Sequence, residues 1–245
     1  MNLFGDAIAY ILDPAHLTGD KGILPRLGDH LFYTGASMLM AMVIGIPLGL
    51  LIGHTGTGRS VIVAVSSAAR ALPTLGLLFF IILYTGLGVG PLVAVLVILA
   101  VPPLLAGTYS GLESVNRQTI DSARAVGMTE WQVLTKVEIP LALPLIFGGV
   151  RSATLQVIAT ATIAGYVGLT GLGRFLIEGL ALHDYKRALA GAILVMLLAL
   201  AVEGALALIQ RLVVPRGVAL GMTRTTSGSS RRPPARPRIA VIKEG

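Results

Sequence analysis

The segment ESVNRQTIDSARAVGMTEWQVLTKVEIP, residues 113–140, is the longest polar stretch between the apolar runs of the chain. Apolar residues recur three apart in each half, at Ile120, Ala123 and Val126 and then at Trp131, Leu134 and Val137. This spacing indicates two short helices. Gly127 can end the first in a left-handed conformation, and a capping box of Thr129 and Gln132 starts the second, which stops at Pro140. The segment therefore predicts a structured helical hairpin.

Long apolar runs flank this hairpin. The 245 residues are 54% hydrophobic and 13% charged, whereas a soluble domain carries about a quarter charged residues. A helix crosses a bilayer with about 20 apolar residues, and five segments have that length: 31–53, 61–86, 91–112, 141–165 and 187–212. A sixth span results if Arg70 and Pro73 divide the second segment. The composition predicts an all-α integral membrane protein with five transmembrane helices, or six if the second segment is divided.

The two ends of the chain differ from this apolar middle. Residues 1–29 contain a helix with one apolar face, which favours a position at the membrane interface. Residues 215–245 hold seven basic residues and one acidic residue, and predict a disordered tail. Twelve of the nineteen Lys and Arg residues fall on the side of the tail and five on the other. The positive-inside rule then places the N-terminus outside and the C-terminus in the cytoplasm, with residues 30–214 as the membrane domain.

Three charged residues lie deep inside the predicted spans, away from their ends, where ionisable side chains are usually functional. Arg70, Arg151 and Glu203 fall at a common depth of about 9 to 14 Å from the cytoplasmic face, at 1.5 Å per residue. We expect Glu203 to pair with Arg151 or Arg70 and to stabilise an inward gate. The alternative is that the arginines snorkel to the interface and that neighbouring groups satisfy Glu203.

Small residues form a stripe in the first span, at Gly45, Gly49 and Gly53. A stripe with this four-residue spacing lets another helix approach closely, so we expect helix packing there. Prolines also interrupt several spans, and bent helices at membrane depth usually line a cavity.

The residue content argues against several other functions. The chain has no cysteine, which removes thiolate catalysis, zinc–thiolate sites and disulfides. GHTGTGRS at 53–60 is similar to the phosphate-binding loop GxxxxGK[ST], but Arg59 replaces its lysine, and we interpret it as a turn between two spans. The four histidines are scattered singly and no catalytic motif is present, so we expect no metal site and no enzyme activity. The tail lacks the aromatic residues that stack on bases, which disfavours a nucleic-acid partner.

From its periodicity alone, the hairpin either packs on the protein's own helices or docks a partner. Its second part, DSARAVGMTEWQVLTKVEIP, resembles the signature loop of type I ABC importer permeases, and this resemblance favours docking. The matching positions are Asp121, Ser122, Ala123, Gly127, Val137, Ile139 and Pro140. Asp121 stands where the family usually has Glu, and Ser122 where it usually has Ala.

The resemblance extends over about residues 30–212. RALPTLGLL at 70–78, PPLLAGTYSGLESV at 102–115 and RSATLQVIATATIAGYVGLTGLG at 151–173 look like the permeases of osmoprotectant uptake systems for glycine betaine, carnitine, choline and proline. Permeases for methionine or sulfonates share several of these features, so a permease for methionine or another small amino acid or sulfonate remains an alternative. A structural membrane anchor without transport is the alternative of another class.

The resemblance implies a MetI-like permease fold and a set of partners in the bacterial inner membrane. A second permease, identical or a sister chain, would complete the pathway, and an extracytoplasmic binding protein would deliver the substrate. Two ATPase subunits would bind ATP and Mg²⁺ and dock on the 113–140 loop, Trp131 included. This chain would itself bind no cofactor.

Overall fold

The computed structural model describes residues 2–214, apart from six side chains between 61 and 70, that of Arg70 among them. All regular structure in this range is helical. The helices are α1 (Leu3–Leu12), α2 (Ile23–Thr55), α3 (Arg59–Ala71), α4 (Thr74–Thr85), α5 (Val89–Glu113), α6 (Arg117–Ala125), α7 (Glu130–Val133), α8 (Ile139–Thr160), α9 (Gly173–Ala181) and α10 (Tyr185–Val213). A π-helical turn, Leu134–Glu138, joins α7 to α8, and a 3₁₀ segment, Ala161–Val167, follows α8. The predicted tail, 215–245, lies outside the described residues.

Four helices within residues 2–214 are long and apolar enough to cross a bilayer. They are α2, α5, the continuous helix Glu130–Val167 and α10. The predicted second span, 61–86, instead forms α3 and α4, because Leu72 and Pro73 adopt extended backbone conformations. The ring of Pro73 removes a backbone donor and disfavours a helical conformation at the residue before it, which explains the break.

The first span begins earlier than the sequence predicts. Hydropathy places its start at residue 31, but α2 begins at Ile23. Arg26 and His30 interrupt the apolar run, yet both side chains are buried, with 3% and 0% of their surface exposed. Their polarity reflects contacts within the protein, so the boundary expected at residues 29 and 30 falls inside α2.

The centre of the molecule is α5, which packs between α2 and α8. The predicted glycine stripe of α2 faces it. A Cβ added to Gly49 would lie 2.6 Å from Thr108 Cβ, and one added to Gly53 would lie 2.8 Å from Leu112 Cβ. These distances leave no room for a side chain. The expectation of close helix packing at this stripe is therefore confirmed.

On its other side, α5 meets α8 with the two backbones in contact. A Cβ added to Gly107 would lie 2.6 Å from the Cα of Gly149. The adjacent Gly148 is different, because a Cβ there would meet nothing within 4 Å. Glycine at 107 and 149 thus permits the crossing, and α2, α5 and α8 form one tightly packed unit.

The remaining helices surround this unit. The last helix, α10, packs on α1, α8 and α9, but most of its apolar surface is exposed in the single chain. The helices run between two ends of the bundle. We call the end with residues 54–59 and 113–138 the loop end, and the end with residues 14–30 and 168–187 the distal end.

Candidate functional site

At the loop end, the hairpin has the local structure that its sequence predicts. Asn116 caps α6 by accepting a hydrogen bond from the backbone of Gln118. Gly127 follows α6 with a φ of +84°, a conformation that side chains with a Cβ rarely adopt. Thr129 and Gln132 form the predicted capping box at the start of α7. Local backbone rules therefore account for both helices and for the turn between them.

The apolar residues of the hairpin divide into two groups. Ile120, Ala123 and Val133 are buried against the adjoining ends of α5 and α8, together with Leu112 and Ala142. This anchors the hairpin on the bundle.

The second group remains at the surface: Val126 is 79% exposed and Trp131 is 72% exposed. Both flank the turn at Gly127. The hairpin thus packs on its own helices, the first alternative that periodicity left open, and its tip leaves an apolar surface exposed.

The other matched positions occupy distinct places on the hairpin. Asp121 and Ser122 are exposed, whereas Val137, Ile139 and Pro140 at the base are partly buried. The hydroxyl of Ser122 donates a hydrogen bond to the backbone oxygen of Gln118. Ala123 is buried, so its small side chain allows α6 to pack closely on the bundle and does not face outward.

A network of ionic contacts crosses the loop end. Arg124 of α6 donates two hydrogen bonds of 2.9 Å to the carboxylate of Glu130 in α7, and its Nη1 lies 3.6 Å from Asp121 Oδ1. His54 at the end of α2 lies between two carboxylates, with Nδ1 at 2.5 Å from Glu138 and Nε2 at 3.4 Å from Glu130. No local sequence pattern indicates this network, because its members lie in separate turns and helices.

Midway along the bundle, Arg151 of α8 pairs with Glu203 of α10. The Nε of Arg151 donates to Glu203 Oε1 at 3.0 Å, and Nη2 contacts the same oxygen. Its Nη1 donates to Gln210 Oε1 at 2.8 Å. The structure therefore brings two of the three predicted charges together and adds Gln210, while the Arg70 side chain lies outside the described part of the chain.

At the distal end, three arginines surround one carboxylate. Glu178 of α9 accepts hydrogen bonds from Arg174 at 2.6 Å, from Arg26 at 3.2 Å and from Arg187. The guanidinium of Arg26 also lies over the ring of Phe175, 4.2 Å from its centroid. The cluster joins the starts of α2 and α10 to α9.

The environment of Glu178 favours its charged form. Partial burial raises the pKa of this carboxyl, but the hydrogen bond from Arg174 and the nearby charges of Arg26 and Arg187 outweigh burial and hold the pKa below its usual value. The i, i+4 spacing of Arg174 and Glu178 was the available sequence signal. Arg26 lies 152 residues away in sequence and Arg187 belongs to the next helix, and no local sequence pattern indicated either contact.

Metal chemistry finds no support in the described residues. Between residues 2 and 214, no group of three or more His, Asp or Glu side chains is close enough to hold a metal ion. The polar features of the described bundle are instead ion pairs and hydrogen bonds.

This fold defines a class of protein: a helical membrane protein with tightly crossed, proline-interrupted helices and a structured polar loop. The chain belongs to the family of binding-protein-dependent transport system inner membrane components, whose sequence pattern matches residues 45–215.

Curated relatives cover most of the chain. The glycine betaine/carnitine/choline transport system permease protein OpuCB of Bacillus subtilis (strain 168) is 33% identical over 82% of this chain and 93% of its own length. The carnitine transport permease protein OpuCB of Listeria monocytogenes is 35% identical over 80% and 90%. The osmoprotectant import permease protein OsmW of Salmonella typhimurium is 32% identical over 87% and 99%.

Solved structures agree on the fold. An inward-facing MetNI methionine ABC transporter matches with a TM-score of 0.71 and 22% identity, over 79% of this chain and 96% of the matched chain. At that identity the likeness shows the fold alone, which confirms the MetI-like arrangement.

Proposed function

We propose that this chain is the permease subunit of an ATP-driven importer for small osmoprotectants such as glycine betaine, choline, carnitine or proline. The observation that carries the proposal is the hairpin at residues 113–140, anchored by buried residues and exposing Val126 and Trp131 on either side of Gly127. Relatives that are at least 31% identical and named as permeases for glycine betaine, carnitine or choline support this substrate class.

The partners follow from this proposal. Two ATPase subunits bind ATP and Mg²⁺ and receive the hairpins of two permeases, which are identical or sister chains. An extracytoplasmic binding protein supplies the substrate. This chain provides half of the membrane pathway, hydrolyses no ATP and binds no cofactor of its own.

The proposed topology has five spans in the inner membrane, with α3 and α4 together crossing once. The loop end then faces the cytoplasm and the distal end faces outward, with an external N-terminus. The Lys and Arg distribution supports this orientation. It also places the exposed hairpin on the side where ATP is available.

The mechanism rests on the rigidity of the hairpin. When ATP binding draws the two ATPase subunits together, each hairpin moves with its subunit and carries the root of α8 with it. Because α8 crosses α5 with backbones in contact, a displacement of its root shifts the central unit as a whole. Hydrolysis then allows return to the inward-open state. Within this cycle, Arg151 and Glu203 stabilise the inward gate by joining α8 to α10.

Co-purification tests the docking step. We expect wild-type chain in mild detergent to retain an ATPase subunit and the Gly127→Asp variant to lose it, because Asp adds a charge and backbone strain at the apolar tip. Gly56→Asp is the matched control, since Gly56 also has a positive φ, +71°, and open space beside it. An ATPase that stays with Gly127→Asp, or that leaves with both variants, contradicts docking at this tip.

An uptake assay tests the substrate class and separates it from the methionine alternative. Vesicles that contain the assembled complex should take up labelled glycine betaine, choline, carnitine or proline, and excess unlabelled methionine should not compete. Competition by methionine contradicts the proposed substrate class. Failure to recover any ATPase with the wild-type chain favours a membrane anchor.

A further inference from the structure

The helix that links the hairpin to the membrane domain changes its geometry at one place. Between α7 and α8, residues Leu134–Glu138 form a π-helical turn, which interrupts the regular α-helical hydrogen bonding. Such turns are rare, are less regular than an α-helix and often mark functional positions. A displacement that enters at Trp131 has to pass this turn before it reaches α8.

A buried carboxylate lies in the same turn. Only 3% of Glu138 is exposed, and its Oε2 accepts a hydrogen bond of 2.5 Å from His54 Nδ1. An isolated buried carboxylate is strongly unfavourable, so this partner determines where the side chain can lie. His54 belongs to the last turn of α2, 84 residues away in sequence.

The second ring nitrogen of His54 points to the hairpin itself. Its Nε2 lies 3.4 Å from Glu130 Oε2, and Glu130 is held by two hydrogen bonds from Arg124. One imidazole thus contacts both ends of the segment that contains the π-helical turn. Through Arg124 the contact also reaches α6.

Polar contact adds to apolar packing at this position, where Leu50 of α2 packs on the apolar cluster beneath the hairpin. A cavity of about 190 Å³ separates the end of α2 from α6, and His54, Arg124 and Glu138 are among its lining residues. Farther along α2, Gly49 and Gly53 fix the helix on α5. The end of α2 is therefore firmly attached to the central unit and joined to the hairpin by the His54 side chain.

We propose that His54 and Glu138 are positioning residues that carry motion of the hairpin to α2 and α5, in parallel with the route through the π-helical turn to α8. This inference rests on the proposed importer function. Without the contact, the hairpin still docks the ATPase but turns partly independently of the central unit. ATP is then hydrolysed with less substrate moved per cycle.

The experiment measures uptake and ATP hydrolysis in the same proteoliposomes, using complexes purified through a tag on the ATPase. Only assembled chains are compared, so loss of docking does not enter the ratio. We expect Glu138→Ala to lower the uptake per ATP hydrolysed about fivefold and His54→Ala to lower it at least as much, because His54 also loses its contact with Glu130. The double variant should lose no more than His54→Ala, since both single variants remove the same His54–Glu138 contact. Thr55→Ala, at the next residue of α2, is the matched control and should leave the ratio unchanged.

Two results would overturn the inference. One is an unchanged ratio in assembled His54→Ala complexes, and the other is a double variant whose loss is the product of the single losses. If His54→Ala lowers assembly, His54→Phe and Glu138→Met allow the same cycle, since each side chain keeps a similar volume but removes the hydrogen bond. Absence of ATP-dependent uptake in wild type is a separate outcome and refutes the importer function itself.

Discussion

Arginine–carboxylate pairs connect helices at both ends of the bundle, but the paired side chains are exposed at the loop end and largely buried at the distal end. At the loop end, the Arg124 and Glu130 side chains are 44% and 58% exposed. At the distal end, Arg26 and Glu178 are 3% and 23% exposed, and three arginines share one carboxylate. The same kind of ion pair therefore lies in contact with solvent at the loop end and is largely shielded from solvent at the distal end.

This difference indicates which end is fixed and which end can move. Exposed ion pairs contribute little and exchange readily with water, so the Arg124–Glu130 pair can re-form as the hairpin shifts, whereas the buried Glu138 at the same end keeps its contact with His54. A partly buried carboxylate surrounded by three cations has no comparable replacement, and removing it leaves positive charges without a counter-ion. We infer that the distal cluster holds the starts of α2 and α10 against α9 while the loop end follows the ATPase.

The strongest test of this contrast is Glu178→Gln. The substitution keeps the shape of the side chain and removes the negative charge that Arg26, Arg174 and Arg187 share. We expect the free energy of unfolding to fall by about 3 kcal/mol, as for other broken buried ion pairs. Thermal and denaturant unfolding of the detergent-purified chain measures the change.

Glu113→Gln is the matched control at the loop end. Glu113 lies 3.4 Å from Arg59, and both side chains are largely exposed, at 46% and 71%. We expect a loss below about 1 kcal/mol. Equal losses in the two variants would show that burial does not distinguish the ends.

The backbone crossing between the two ends provides the next test. A Cβ at Gly149 would lie 3.0 Å from Gly107 Cα and 3.0 Å from the Pro103 oxygen, so Gly149→Ala should push α8 away from α5 and destabilise the chain by about 1 to 3 kcal/mol. Unfolding of purified protein measures this effect. Gly148→Ala, in open space one residue earlier, should be neutral or stabilising by up to about 1 kcal/mol. Similar destabilisation by both would contradict a close crossing.

Local features were predictable from the sequence at the level of single residues. The capping box of Thr129 and Gln132, the positive φ of Gly127 and the packing stripe of α2 all depend on residues a few positions apart. Backbone geometry and helix periodicity determine such features directly.

Contacts between residues far apart in the chain could not be predicted from the sequence, and the reason is physical. Arg26 pairs with a residue 152 positions away and His54 with one 84 positions away, and no local pattern reports such contacts. The same limitation misplaced the start of α2, because Arg26 and His30 look like loop residues until their partners are known. Arg151 and Glu203 were an exception, since charges within apolar spans are few enough to suggest each other as partners.

The Arg151–Glu203 pair lies between the two ends and provides an intermediate case, because Arg151 has a second hydrogen-bond partner in Gln210. In Glu203→Gln, Arg151 can keep its hydrogen bond to Gln210, 2.8 Å away in the native protein, so we expect only a small loss of stability, about 1 kcal/mol or less. If the pair stabilises the inward gate, uptake should nevertheless fall severalfold, whereas Gln210→Ala, which leaves the ion pair, should affect it less. Wild-type uptake by Glu203→Gln would exclude a gating role, and the pair would then serve only to attach α10 to α8.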